Sequence, residues 1–186
     1  MGTFHTLSTE RLVFSVPEAK DIPRLLEYAK DPVISRNLLT FPYPYTEKDA
    51  IWWINSANEG HQSGDAYIFA FRDKETGSFM GGIGLHLDKM NNLAEVGYWL
   101  GEPHRGKGYA TEGTKEMIRF GFETLGLNKI TSSHYEYNPG SGKVIVKSGL
   151  IKEGLRMEQI KKEDGYHHLH VYGLTRAQYE VQKSGN

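Results

Sequence analysis

The feature that most constrains this chain is a glycine-punctuated junction, His104-Arg-Gly-Lys-Gly-Tyr-Ala-Thr-Glu-Gly113, set between a run of strands and the longest amphipathic helix. Before it, residues 67–71, 79–87 and 94–100 read as strands. The first two are joined by the turn Asp73-Lys-Glu-Thr-Gly77, and the third is opened by a turn at Asn91-Asn92. After it, residues 108–125 place Thr114, Met117, Ile118, Gly121, Phe122 and Leu125 on one helical face, with Gly126 as a natural stop. Residues 129–137 then read as another strand. An antiparallel meander followed by a strand–helix–strand unit requires a mixed sheet, because the helical crossover brings the later strand in parallel.

The flanks fit the same architecture. Residues 11–15 alternate as a strand that Pro17 ends. Residues 21–30 carry Ile22, Leu25, Leu26 and Ala29 at helical spacing, and Asp31-Pro32 stops that helix. Residues 41–45 are extended and aromatic; Thr46 with Asp49 then forms a capping signal for a helix bearing Ile51, Trp52 and Ile54. Residues 141–147 form a short helix ending at Gly149. Residues 150–162 and 166–174 form a hairpin around Glu163-Asp-Gly165, and Thr175 starts a terminal helix. The expected fold is a single α+β domain over residues 1–186, with helices on both faces of a mixed, mostly antiparallel sheet of about seven strands.

Composition narrows the function classes. Lys and Arg number 22 against 23 Asp and Glu, a net charge of −1 that argues against a general nucleic-acid binder. With no cysteine, the chain has no disulfide, thiolate nucleophile or Cys-ligated metal. No apolar run approaches the roughly 18 residues of a membrane span. The N-terminus lacks the charged and apolar regions of a signal peptide. Gly2 with Thr6 fits the loose myristoylation pattern, which is short enough to arise by chance. A soluble, cytoplasmic protein is expected.

At the junction, Gly106 and Gly108 permit a tight turn and close approach of a ligand to main chain. The free N–H groups of the following helix turn suit a phosphate or pyrophosphate, and Arg105 and Lys107 add positive charge. An ordinary glycine-rich connection reads equally well. The spacing matches neither a Walker loop nor the dinucleotide fingerprint.

Residues 94–113 resemble the acetyl-CoA-binding core of the GNAT acetyltransferase superfamily, whose loop reads Arg or Gln, two residues, Gly, one residue, Gly or Ala; Arg105, Gly108 and Ala110 fit. The branch it is most similar to is the RimJ/RimL type. Thr9-Glu-Arg-Leu12 resembles that branch's opening strand, and Pro44-Tyr-Thr-Glu-Lys-Asp-Ala50 with Trp53-Ile54 its second helix. Asn138-Pro-Gly-Ser141 with Lys147-Ser-Gly-Leu150 resembles its late strand–helix segment. The resemblance implies that the strands at Leu100 and Lys129 splay apart. The pantetheine arm of acetyl-CoA would lie in the gap, against main chain near Tyr98, Trp99 and Leu100, with Asn138 on its other side. The pyrophosphate would rest on the segment Arg105, Gly106, Lys107, Gly108, Tyr109, Ala110 and Thr111. Neighbours on a strand face opposite ways, so one of Tyr98 and Trp99 must simply pack in the core.

The implied reaction is transfer of acetyl from acetyl-CoA, as cosubstrate, to a primary amine, either a protein N-terminus or a small amine. With no cysteine, direct attack is the natural route. A main-chain N–H near Leu100 would polarise the thioester carbonyl. Glu95 is the candidate base, or else a solvated strand-end charge. Glu112, in the first helical turn, offsets the helix dipole. The tyrosine acid of many relatives falls at Ile145 and is absent here. Ser141 is the alternative near the sulfur, or else a helix cap. His168 and His170 share a strand face that His167 does not; they lack a third metal ligand and are read as cleft or surface residues. Phe41 to Tyr45 and the hairpin at Glu163 are expected to border the acceptor. A homodimer is left open. The rival class is a non-catalytic acetyl-CoA-binding sensor; a nucleotide hydrolase is a distant third.

Overall fold

The structure, a computed structural model, describes residues 4–185 and so leaves Gly2 outside. Eight strands form one sheet in the order β1-β2-β3-β4-β5-β6-β8-β7. They are β1 (Leu7–Ser8), β2 (Leu12–Ser15), β3 (Ala66–Asp73), β4 (Phe79–Asp88), β5 (Leu93–Leu100), β6 (Lys129–Tyr135), β7 (Ile151–Lys162) and β8 (Gly165–Thr175). The two-residue β1 is the addition to the expected set. Every neighbouring pair is antiparallel except β5 with β6.

Strand alternation sends apolar side chains to both faces. On β3, Phe69 and Phe71 enter one core with Leu12, Phe14, Leu85 and Val96, and Ala70 enters the other. The first core is covered by α4 (Tyr109–Arg119) and α5 (Pro139–Lys147), through Met117, Ile118 and Ile145. The second is covered by α1 (Ile22–Ala29), α2 (Pro32–Asn37) and α3 (Glu47–Ser63), with Leu25, Ile34 and Ala50 against Ala70 and Phe79. A last helix, α6 (Arg176–Ser184), follows β8 and stacks Tyr179 on Phe122 at 4.7 Å between centroids. Gly82 matters to the second core. A Cβ there would come within 2.7 Å of Trp99 and 2.8 Å of Trp53, so only glycine lets both indoles lie on the sheet. A buried ion pair ties the start of α1 to the sheet. Arg72 on β3 donates twice to Asp21 at 2.8 Å, and its Nε donates to Ser15 Oγ at 2.7 Å.

Several local expectations shift. Asp31-Pro32 does end α1, but it also starts α2. The Asp31 carboxylate accepts from the Val33 N–H at 2.9 Å, and Pro32 takes the first helical position, where its missing N–H costs nothing. Thr46 and Asp49 form the expected capping box of α3, while Ile51 and Trp52 face outward. The long helix leaves α geometry after Arg119. A π-turn over Phe120–Thr124, closed by Leu125 N–H to Phe120 O at 3.1 Å, turns both Phe120 and Phe122 into the core. Thr9, Glu10 and Arg11 form a bend between β1 and β2 rather than strand, with Thr9 Oγ1 accepting from Leu12 N–H at 3.1 Å. At the outer edge, β7 bulges, passing from Arg156 to Ile160 while β8 passes only from Leu169 to His167. Glu158 sits in the bulge at φ 47°, its N–H donating to His168 Nδ1 at 2.8 Å. Among the described residues no helix is long and apolar enough to cross a membrane.

Candidate active site

The parallel pairing of β5 and β6 lasts three residues, Leu93 with Lys129, Ala94 with Ile130 and Glu95 with Thr131, and then the strands part. A cavity of about 1160 Å³ occupies the gap and runs through the sheet. The direction of the β5 main chain follows from its bonds. Gly101 N–H goes to Met80 O on the β4 side at 2.9 Å. Val96 O accepts from Ser132 Oγ at 2.9 Å and Leu100 O from Arg105 Nε at 2.9 Å, both on the β6 side. Antiparallel strands alternate their main-chain bonds, so the N–H groups of Tyr98 and Leu100 also face the gap, where no strand answers them.

The glycine-rich loop closes one end. Gly106 has φ 74°, and Gly108, at φ 85°, caps α4 without a side-chain bond, so the first amides of α4 remain free at the cavity wall. Arg105, Gly106, Gly108, Tyr109, Ala110 and Thr111 line the cavity, and Lys107 does not. Arg105 is tied down: Nη1 meets Asp31 at 2.7 Å while Nε bonds Leu100 O. It therefore braces the loop against the start of α2, its charge already paired. A second brace was missed in the sequence. Arg11 stacks on the Tyr109 ring at 4.5 Å, donates to Lys107 O at 3.0 Å and pairs with Glu112 at 2.6 Å. Thr9 Oγ1 adds a further bond to Glu112 at 2.6 Å. Burial works to raise the Glu112 carboxyl, but the bonds from Thr9 and Arg11 outweigh it and hold it below the ordinary range. Glu112 is thus a structural anchor for the helix start.

Across the gap, Tyr98 Oη lies 2.9 Å from Ser141 Oγ and 3.2 Å from Ser141 O. Burial pushes the Tyr98 hydroxyl up to about 12, partly offset by the Ser141 bond, so it stays protonated. The cap of α5 is Asn138, whose Oδ1 accepts from Ser141 N–H at 3.2 Å; the Ser141 hydroxyl is left for the gap. Ile145 is fully buried and offers no acid.

The β5 positions that face α3 are Glu95, Gly97 and Trp99. Glu95 stands where the strands begin to part, with Ser133 Oγ donating to its Oε1 at 2.8 Å. His86 is its partner in register on β4. The surrounding protein pushes the His86 imidazole down and the Glu95 carboxylate partly offsets this, although the ring still reaches solvent. His86 lines the cavity and was not singled out from the sequence; the alternation Gly82, Gly84, His86 on one face of β4 was the available signal. Beyond lie Phe41, Tyr45, Trp53 and Trp99: Phe41 stacks on Tyr45 at 4.2 Å, and Trp99 meets Phe41 at 5.9 Å and Trp53 at 6.1 Å. Trp99 therefore packs in the α3-side core, while Tyr98 turns toward Ser141.

The hairpin at Glu163 does not line the cavity. Instead Lys162 Nζ donates to the carbonyls of Ser35, Arg36 and Leu38 at 2.8–3.0 Å, fixing the chain that leads into the aromatic wall. His167, His168 and His170 also stay outside the cavity lining. The Asp164 and Glu136 carboxylates hold the His167 imidazole above its ordinary value. Among the described residues no three His, Asp or Glu side chains gather as a metal site.

A model of the acetyltransferase (GNAT) domain matches residues 11–151. The chain is 32% identical over 177 residues to an uncharacterised N-acetyltransferase, p20, of Bacillus licheniformis, covering 94% of this chain and 98% of that protein. Among solved structures, a probable acetyltransferase superposes with a TM-score of 0.85 at 25% identity, over 94% of this chain and 98% of that one. RimL, the ribosomal L7/L12 α-N-protein acetyltransferase in complex with coenzyme A, superposes with a TM-score of 0.83 at 15% identity, over 92% and 98%. Other relatives carry names of ribosomal-protein acetyltransferases.

Proposed function

Because this chain belongs to the GNAT acetyltransferase family, on its RimJ/RimL-like branch and with acetyl-CoA as acetyl donor, we propose that it moves the acetyl group by direct attack to a primary amine, a protein N-terminus or a small molecule. The observation that carries this reading is the early parting of β5 and β6, which leaves unanswered main-chain amides along a cavity running from the glycine loop to Glu95. A free pantetheine amide and a pyrophosphate are the groups such a row of donors suits. Tyr98 main chain would hold the arm, with Asn138 opposite; the amides from Gly106 to Thr111 would hold the diphosphate.

The acceptor must be neutral to attack. An α-amine of pKa about 8 is mostly protonated at neutral pH, so a base is useful there. Ser133 orients Glu95 through Oε1 and leaves Oε2 to take the proton. The Leu100 N–H receives charge developing on the carbonyl oxygen. Tyr98 is a weak acid in this setting and acts as a fixed donor: when its hydrogen goes to Ser141 Oγ, the Ser141 hydrogen is released toward the departing sulfur.

The test is coenzyme A release and mass detection of acetylated product over a panel of amines. In the Ser141→Ala protein, turnover should fall about tenfold or more while acetyl-CoA affinity changes little. Unchanged turnover removes Ser141 from the reaction. Binding of acetyl-CoA without turnover of any amine favours the sensor reading.

A further inference from the structure

We infer that the acceptor is a primary amine carried on an apolar body of aromatic size. This rests on the acetyl-transfer reading above and names its substrate class. The first observation is the aromatic wall that lines the same cavity as Glu95. Phe41 and Tyr45 form a stack at 4.2 Å and 13°, with Trp99 and Trp53 continuing it inward. At the mouth, Trp52 and Leu39 are 66% and 50% exposed and carry the apolar lining out to the surface. The second observation is the space itself. Gly97 lies between Glu95 and Trp99 on the same face of β5, and a Cβ there would meet nothing within 4 Å. That opening places an apolar body over the strand with its amine directed at Glu95.

The third observation is charge. Only Asp49 and Glu95 supply carboxylates among the described residues lining the cavity. Asp49 is held by Thr46 in the capping box of α3, whose bonds keep its carboxyl below the ordinary range. The Glu95 carboxylate alone stands on the open strand beside Gly97, so it is the group that meets the acceptor amine. Further ammonium groups on the acceptor would have only Asp49 left to pair with among the described lining residues, whereas an aryl body needs no charged partner.

Two sources carry this chemistry, an arylalkylamine and a peptide whose first residue is aromatic. With saturating acetyl-CoA, kcat/KM is measured for 2-phenylethylamine, a phenylalanine-initiated tetrapeptide, a serine-initiated tetrapeptide and spermidine. The better phenyl substrate should exceed both of the others by about tenfold or more, and the ranking of the two phenyl substrates tells the sources apart. Spermidine or the serine peptide equal to or ahead of both overturns the inference and leaves acetyl transfer standing. Release of coenzyme A from none of the four overturns the acetyl-transfer reading and the inference with it. The Gly97→Val protein adds a check on place: it should melt as wild type, keep its KM for acetyl-CoA and raise KM for the phenyl substrate about tenfold. An unchanged amine KM puts the acceptor elsewhere and overturns the inference; should that variant melt early, Trp52→Ala at the exposed mouth is read for the same rise.

Discussion

Along the β6 edge of β5 and at the glycine loop, the donor half of the proposed site is made mostly of main chain. The N–H groups of Tyr98 and Leu100 and the first turn of α4 are arranged by strand geometry and by two glycines at positive φ. On the side toward α3, the site is made of side chains, with Glu95, His86 and a set of rings contributed by four separate stretches of sequence. The two constructions serve different ends. Main-chain amides cannot be changed by substitution without changing the fold, which suits a donor that is the same in every reaction cycle. Side chains standing over an open strand can be exchanged one at a time, which suits an acceptor that differs between relatives.

Variants can pull these halves apart. The largest effect is expected for Glu95→Gln. Its kcat/KM should fall about a hundredfold at neutral pH, and the deficit should shrink as pH rises past the pKa of the amine, since a neutral amine needs no base. A deficit constant across pH would make Glu95 a positioning group. On the other side, Gly108→Val forces a branched residue into φ 85° and brings its Cβ within 3.3 Å of Arg11. Strain of about 2 kcal/mol would weaken acetyl-CoA binding about thirtyfold, measured by calorimetry, with the amine KM unmoved. A matching rise in amine KM would show that the halves are one unit.

The smallest effect is expected at Glu112. Its folded carboxyl is held low, so its stabilisation is present at neutral pH and is lost as pH falls through that lowered value. Glu112→Gln should lower Tm by about 2–4 °C at pH 7, a modest figure because Arg11 is half exposed to screening solvent. In acid the two proteins should melt alike. A difference that persists there would mean that packing, not charge, anchors the loop.

The contrast also explains what could be read from the chain beforehand. The segment from Leu93 to Arg119 was legible because strand, glycine loop and helix start are contiguous, and each local preference agrees with the final fold. The splay followed from the family resemblance borne by that segment. The start of α2 was hidden because Asp31-Pro32 is both a stop for one helix and a cap for the next. The π-turn at Phe120 has no mark in an apolar periodicity that continues to Leu125. The aromatic wall was only half visible. Phe41 and Tyr45 stood out, but their meeting with Trp99 and Trp53 depends on Gly82, a residue notable only for having no side chain. Arg11 was read as part of a strand, whereas its role arises from contact with a helix about a hundred residues later.

The two ends of the sheet share one more property. At one border β1 is only two residues long; at the other, β7 runs for twelve residues but is broken by the bulge around Glu158. Neither border offers a straight, unbroken template on which a strand of another molecule could continue the ladder. Crowded solutions of this protein should therefore resist end-to-end fibril growth, a safeguard built into the outline of the fold and independent of the reaction at its centre.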